Sequence, residues 1–347
     1  MRFGTYLIPQ SPVPDEDSVV IDSTLAEVEL AEELGFDTVW LQEHHFGGEC
    51  AYADPLVFGA AVAARTERIK IGFAVIQMAL HHPVRLAEQT ALLDNLSHGR
   101  LIVGTGRGTV VNHFEYTGFG TTMDKSARML AEAEELLVKA WTEENIDFQG
   151  EFWQSSMPML RPRPYQKPHP PIVRASISEE SIKAMALIGR PVMLGPVGDD
   201  ILESRVSLYK KTLGESGLST QEVDRVYDQV WVAKKVCIAP TETEAIDTAR
   251  AANRWSMELT NAMRRRHNPP EARPAELAPD AWHDLGDSFV VGTPEQVAEQ
   301  ISMLRDIGVP NLMLTFNLGN IPRATVERSM RLFANEVAPE FAQPREE

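Results

Sequence analysis

The chain has 347 residues, and its 33 Lys and Arg against 50 Asp and Glu give a formal net charge of −17 with neutral histidines. Hydrophobic residues make up 43% and charged residues 24%, the balance of a globular protein rather than a disordered or fibrous one. So acidic a chain is expected to repel nucleic acids, and the sequence has no apolar run of membrane-spanning length. Its first residues, MRFGTYLIPQ, do not show the basic and then apolar pattern of a signal peptide, and we expect none.

The number and spacing of the cysteines indicate the compartment in which we expect the protein. Cys50 and Cys237 are too few and too far apart for a disulfide framework or a zinc site, which fits a reducing compartment. We therefore expect a soluble cytoplasmic protein that binds neither nucleic acid nor a membrane.

Short β-branched or aromatic runs alternate with helix-period segments along the chain, the order typical of parallel βαβ units. Several helical segments have clear ends, such as Gly35 after the first and the Thr293, Pro294 and Gln296 start signal near the end. Eight strands are predicted, at 2–8, 37–41, 69–75, 100–104, 171–175, 191–195, 230–238 and 311–316. This is the strand count of a (β/α)8 TIM barrel, so we predict one such α/β domain over residues 1–347.

The second predicted strand runs into Glu43, His44, His45 and Phe46. Barrel enzymes keep catalytic groups on the loops after the strands, where a carboxylate and two imidazoles can carry acid–base chemistry. Because side chains alternate along a strand, at most one of the two histidines faces the mouth. A structural histidine and a metal ligand remain as alternatives, although no H-x-H or H-E-x-x-H spacing supports a metal, and we predict none.

The next helical segment, at 55–64, is apolar on all faces. An outer helix of an isolated barrel should have a polar side. Two explanations are open: deep burial beneath the insertions, or a subunit interface. We favour the interface, which predicts a homodimer.

The fourth strand opens into the segment GTGRGT at 104–109. A dinucleotide-binding G-x-G-x-x-G would need glycine where Thr109 stands, so a Rossmann fold is excluded. The segment still allows close backbone approach, and Arg107 is suited to a phosphate or carboxylate. The alternative is a tight turn with a solvated arginine.

The fifth strand leads to Ser176 and Ser178 just before a helix that begins near Glu179. Hydroxyl groups and free backbone N–H groups at a helix start form a ready anion site. Simple N-capping by Ser178 is the alternative and is compatible with it. Two phosphate-suited elements on adjacent strand exits favour a phosphorylated ligand.

Two insertions account for the length beyond a typical barrel of about 250 residues. The first, at 146–170, contains a predicted hairpin around residues 148–152 and then a proline-rich stretch. The second, at 264–287, has little periodicity. Loops longer than roughly 12–15 residues are usually lids or disordered connectors, and we favour a mobile lid for the second.

The sequence resembles the bacterial luciferase family of flavin-dependent monooxygenases over nearly its whole length. The resemblance is carried by MRFGTYL at the start, GFDTVWLQEHHF at 35–46, HPVRLAEQTALLDNLSHGR at 82–100, GTGRG at 104–108, FGTTMD at 119–124 and VGTPEQ at 291–296. The EHHF motif with the downstream glycines and arginine is its most specific part.

The resemblance implies a barrel that binds reduced FMN supplied by a separate flavin reductase. In the family the flavin reacts with O2 to give a C4a-peroxide, which oxidises a small organic substrate such as an aldehyde or ketone. The protein binds and orients the flavin and excludes water from the site, and the lid shields the site from water.

Carried over by position, His44 matches the catalytic histidine beside the flavin ring, with Glu43 next to it. Arg107 matches the arginine that holds the FMN phosphate, and Ser176 completes that site. The other implied cofactor contacts are Ala74, Val75, Gly108, Thr109, Arg128, Val173, Ala175 and Ser178. The Ala74-Val75 bond falls where the family often has a non-prolyl cis peptide. An apolar substrate pocket is predicted from Phe46, Met78, Phe114 and Met193.

Some positions depart from the family pattern. Gly106 stands where the light-emitting subunit has a reactive cysteine, Ala175 stands where it has a glutamate, and the segment 112–118 is longer. These differences argue against light emission. The alternative functions are an F420-dependent oxidoreductase of the same superfamily and a non-catalytic flavin-binding or partner subunit, but retention of His44 and Arg107 favours a working site.

Overall fold

The computed structural model of the chain describes residues 1–276, 278 and 285–341. Its strands are β1 Arg2–Leu7, β2 Thr38–Leu41, β3 Lys70–Phe73, β4 Ile76–Gln77, β5 Leu101–Gly106, β6 Ile146–Gln149, β7 Gln154–Met157, β8 Ile172–Ala175, β9 Val192–Leu194, β10 Trp231–Ile238, β11 Phe289–Gly292 and β12 Asn311–Thr315. Its helices are α1 Asp17–Glu33, α2 Pro55–Arg65, α3 Pro83–Leu96, α4 His113–Gly118, α5 Ser126–Thr142, α6 Glu179–Leu187, α7 Asp199–Gly214, α8 Thr220–Tyr227, α9 Glu242–His267, α10 Pro294–Asp306 and α11 Arg323–Leu332.

Eight of these strands close into a parallel barrel. Around the barrel the order is β1, β2, β3, β5, β8, β9, β10 and β12, and β12 pairs with β1 to complete the ring. The closed parallel barrel with surrounding helices confirms the predicted TIM-barrel fold. All eight predicted strands are present.

The structure differs from the predicted elements in two places and confirms a third. The third strand ends at Phe73, directly before the cis Ala74-Val75 peptide bond, and the chain rejoins the sheet as the two-residue β4 beside β5. The unpredicted β11 adds to the far end of β10. The predicted hairpin is the antiparallel pair β6 and β7.

The helix end signals act as predicted. Gly35 takes a φ of +81° after α1, a conformation that favours glycine. At the start of α10, Thr293 and Gln296 form a capping box behind Pro294. These local signals fix where the helices turn back towards the barrel.

The core has two layers. A small cluster fills the inside of the barrel, and its buried members are Trp40, Val173, Met193, Trp231, Ala233 and Met313. A much larger cluster lies between the strands and the helices. Gly72 is required by the inner layer, because a Cβ there would lie 2.4 Å from the Trp40 ring, and Trp40 itself packs edge-on against Trp231. Side chains therefore fill the interior of the barrel, which leaves its rim, and not its interior, for a ligand.

The predicted insertion at 264–287 begins later than expected. Its first four residues complete α9, which ends at His267, and the chain then forms a short 3-10 turn at Pro270–Ala272. Residues 277 and 279–284 of the predicted lid lie outside the described residues. Within the described ranges, no helix combines the length and apolarity that a membrane crossing needs.

Candidate active site

His44 lies at the exit of β2 with its side chain mostly buried. Its Nδ1 atom is 3.0 Å from Glu115 Oε1 and 3.4 Å from Glu49 Oε2. Glu115 also accepts the backbone N–H of His45 at 3.0 Å, so this carboxylate fixes both the ring and the chain beside it. Within the described part of the chain, Nε2 of His44 has no hydrogen-bond partner. That nitrogen is available to a ligand.

Glu43 forms a second, fully buried ionic cluster beside the first. Its Oε1 is 2.8 Å from His45 Nε2 and 2.7 Å from His81 Nε2, while its Oε2 accepts the backbone N–H of Gln77 at 2.6 Å. Both oxygens are therefore engaged. The Gln77 side chain donates to Glu43 O and to Glu115 Oε2, which joins the two clusters.

Arg264, in the last turn of α9, ties this network to the base of the second insertion. Its guanidinium donates to Glu49 Oε1 at 3.1 Å and to Asn112 Oδ1 at 2.8 Å. The Asn112 amide in turn donates to Glu49 and Glu115. Although the ligand atoms of His44, Glu49 and Glu115 lie within 4.8 Å of one another, both carboxylates already accept these hydrogen bonds. We interpret the cluster as an ion-pair network rather than a metal centre.

The network sets the charges of its members. Burial alone would raise the pKa of Glu43, but the His81 and His45 imidazoles lower it to about 2. Burial opposes protonation of His44, yet its hydrogen bond to Glu115 and the negative charge of Glu49 raise its pKa above the ordinary value. In the same way, the hydrogen bond with His44 lowers the pKa of Glu115, although burial opposes this. The two carboxylates therefore favour the protonated form of His44.

Glu115→Gln is expected to lower the pKa of His44, because the substitution removes the negative charge but keeps the side-chain shape. Histidine NMR titration measures this directly. Glu135→Gln, an exposed position on α5, is the control and should leave the His44 pKa unchanged. An unaltered titration curve for Glu115→Gln would show that another group holds the proton on His44.

A second group of residues forms a candidate anion cradle. Thr105 of β5 is in register with Arg174 of β8, so Arg107 and Ser176 leave neighbouring strands at matching positions. The Arg107 side chain is exposed and makes no ion pair within the described residues. The Ser176 hydroxyl is 2.9 Å from that of Ser181, and Ser178 caps α6 through Ser181 N.

The backbone beside Arg107 lies close to neighbouring groups and leaves no room for a side chain at Gly108. Gly108 has a φ of +97°, and a Cβ there would lie 2.1 Å from Gln77 Oε1. The Tyr116 hydroxyl donates to Arg107 O at 2.8 Å and fixes the loop. Thr109 O accepts the backbone N–H of Asn112 and so joins the loop to the His44 network.

The cis peptide between Ala74 and Val75 lies between His44 and the cradle. Both residues pack against the inner barrel cluster that contains Val173, and the Tyr6 hydroxyl donates to Ala74 O at 3.0 Å. A Cβ at Gly106 would lie 2.5 Å from Val75 Cγ2. This contact explains the glycine at 106: Val75 occupies the space that a larger residue would need. Ala175, the other position that departs from the family pattern, is exposed at the rim.

Three of the remaining predicted residues lie near the rim or inside the barrel. Phe46 is exposed beside Phe119, with ring centroids 5.5 Å apart. Phe114 is buried near His267 of α9, and Met193 is in the inner barrel cluster. These three positions suit a partly apolar pocket.

Two predicted residues lie elsewhere. Met78 is fully buried in the outer core, between the strands and the helices. Arg128 pairs with Glu151 of the hairpin loop and lies over the Phe152 ring. We leave both out of the proposed site.

Sequence reasoning missed the residues that build the hydrogen-bond network around His44 and Glu43, which are Glu49, Gln77, His81, Asn112, Glu115 and Arg264. They belong to loops and helices that are far apart along the chain, and no short motif joins them. A signal was present for Glu115, an acidic residue between two aromatic residues. Only the fold shows that it meets His44.

The profile of a family described as luciferase-like monooxygenase matches residues 1–311. The chain is 29% identical over 346 residues to a limonene 1,2-monooxygenase of Rhodococcus erythropolis, covering 98% of this chain and 86% of that protein. The crystal structure of the monooxygenase RslO1 from Streptomyces bottropensis superposes with a TM-score of 0.85 at 28% identity, over 99% of this chain and 100% of that one.

A third comparison concerns the fold alone. The oxygenating constituent of the 3,6-diketocamphane monooxygenase from Pseudomonas putida, a type II Baeyer-Villiger enzyme solved with FMN, has a TM-score of 0.79 at 20% identity. It covers 99% of each chain.

Proposed function

The chain belongs to the luciferase-like monooxygenase family, and from this premise we propose that it binds reduced FMN at the barrel rim and uses O2 to oxidise a small apolar organic substrate. The observation that carries the proposal is a rim with two complementary parts. One is Arg107, which makes no ion pair with the residues that the structure describes, beside the hydroxyls and helix start at Ser176 and Ser178. The other is His44, whose pKa is raised and whose Nε2 has no hydrogen-bond partner among the same residues.

The residues at this rim fit FMN. Arg107, Ser176 and the N–H groups at the start of α6 would hold the phosphate, since a helix start and an arginine both favour a dianion. Val173, Gly108 and the Ala74-Val75 peptide would contact the rest of the cofactor. Bound there, reduced FMN would supply the chemistry that activates O2.

His44 would act as the acid–base group. Its raised pKa favours the protonated form, which can give a proton to a ligand, and its Nε2, which has no partner among the described residues, is the atom that can do so. Glu43, whose oxygens are both engaged, acts through His45 and His81 and is a positioning residue. Glu49 and Glu115 hold the His44 ring in place.

The substrate class follows from the surroundings of the site. Phe46 lies beside His45, Phe114 lies beside His267 at the end of α9, and Met193 lies inside the barrel. An apolar aldehyde, ketone or olefin fits such a lining better than a charged molecule. The relative named for limonene oxidation supports an apolar substrate.

Equilibrium titration under anaerobic conditions tests the cofactor. We expect reduced FMN, supplied in the cell by a separate flavin reductase, to bind more tightly than reduced F420, because Arg107 and one helix start match a single phosphate better than a polyanionic tail. Tighter binding of reduced F420 would support the alternative oxidoreductase, and binding of neither would support the role of a partner subunit.

We also propose a homodimer through α2 and α3. Helix α2 buries Leu56, Phe58 and Val62 in the core. In contrast, Val57 on α2 is 67% exposed and Leu96 on α3 is 51% exposed. Apolar side chains exposed on two neighbouring helices suit an interface. A subunit interface is also the explanation that the sequence favours for the apolar segment 55–64 over burial beneath the insertions.

A Val57→Asp and Leu96→Asp double variant is expected to be monomeric by light scattering at micromolar concentration, because buried carboxylates oppose association. Met303→Asp, on the equally exposed side of α10, is the matched control and should leave the mass unchanged. A monomeric wild type would contradict the interface.

A further inference from the structure

A cavity of about 350 Å³ lies outside the barrel wall, on the side opposite the Arg107 cradle. It is bounded by α1, α11, the exits of β1 and β12, and Trp255 of α9. None of the residues proposed for the flavin site lines it. The cavity is large enough for a ring-sized ligand, since an apolar cavity of about 150 Å³ holds benzene.

Glu27 of α1 is the unusual group in this cavity. Its Oε1 is buried and has no hydrogen-bond partner within the described residues. An orphaned buried carboxylate oxygen is costly and calls for a partner. Burial raises the pKa of Glu27 to about 8, although a hydrogen bond with Asn317 opposes the rise.

The charges that line the cavity favour a cation. The charged residues there are Glu16, Glu27, Arg323 and Glu327. Arg323 donates to Glu327 at 2.7 Å, so these two groups neutralise each other. Glu16, and Glu27 once it has lost its proton, have no compensating positive charge within the described lining.

Part of the remaining lining is apolar and suits the body of such a ligand. Trp255 and Ile321 line the cavity, and Pro12 and Val20 are among its other apolar members. An aromatic ring also attracts a nearby cation through its face. The lining also includes uncharged polar residues such as Asn317, so the cavity combines one unsatisfied acid with a partly apolar wall.

We propose that this cavity binds a small organic ammonium ion, with the charged nitrogen on Glu27 and the apolar part against Trp255 and Ile321. The site is independent of the proposed flavin chemistry. Its failure would leave the function of the rim untouched.

Benzylamine and benzyl alcohol form a matched pair of probes, equal in shape but different in charge. Calorimetry at pH 8 should show saturable binding of benzylamine at one site and at least tenfold weaker binding of the alcohol. Glu27→Gln should weaken benzylamine at least tenfold while changing the alcohol little. Asp22→Asn, an exposed position on the same helix, should match the wild type.

The pH dependence gives a second readout on the unaltered protein. A neutral Glu27 must release its proton to pair with the ammonium group, so affinity should rise roughly tenfold from pH 6 to 7 and level off near pH 8. No saturable benzylamine binding, equal binding of the two probes, or an affinity that falls with rising pH would each overturn the proposal. Binding that Glu27→Gln leaves unchanged would do the same.

Discussion

Replacing His44 with alanine is expected to lower substrate turnover by about 10²- to 10⁴-fold, the range that a positioned acid–base group contributes. The imidazole is held by Glu115 and Glu49 with Nε2 free, so no other described group at this position can move a proton to a ligand. The loss should fall on kcat. Affinity for reduced FMN should change little because Arg107 and the serines remain.

The His44→Asn variant controls for a folding defect, because its amide can keep a hydrogen bond to Glu115 but cannot transfer a proton. It should be as inactive as the alanine variant. His82→Ala, which removes an exposed imidazole that makes no capping hydrogen bond, is the control and should retain wild-type turnover. Full activity of both His44 variants would remove the acid–base role.

Replacing Arg107 with methionine is expected to weaken FMN binding about 10- to 100-fold. Hydrogen bonds to charged groups contribute roughly 1.5–3 kcal/mol, and a tenfold change in affinity is about 1.4 kcal/mol. Riboflavin, which lacks the phosphate, should bind the variant and the wild type equally. Fluorescence titration with both ligands separates a lost phosphate contact from general damage to the site.

Arg128→Met is the matched control for Arg107. Its guanidinium pairs with Glu151 and lies over Phe152, so its removal should leave FMN affinity at the wild-type value. If Arg128→Met weakened FMN and Arg107→Met did not, the phosphate site would have to be moved from β5 to the start of α5.

Local patterns were sufficient to predict the barrel, because each strand and helix carries its own periodicity and end signals. The capping box at Thr293 and the left-handed Gly35 are examples. What local patterns could not show was the early end of β3 at Phe73 or the addition of β11. Both depend on contacts between distant parts of the chain rather than on a local pattern.

The sequence predicted only those residues of the candidate site that directly follow a strand. His44 and Arg107 each follow a strand, so barrel topology brings them to one rim. Glu115 and Arg264 reach His44 from α4 and α9, and their contacts depend on how those helices pack. Met78 shows the opposite failure: an apolar residue near a strand exit entered the outer core instead of the rim.

The most direct test of oxygen chemistry at this rim is a stopped-flow experiment in which the protein, loaded with photoreduced FMN, is mixed with O2. We predict that reoxidation passes through a transient absorbing species distinct from reduced and oxidised FMN, and that its lifetime changes in His44→Asn. Single-step reoxidation at the rate of free reduced FMN, with no transient in the wild type, would contradict the proposed monooxygenase.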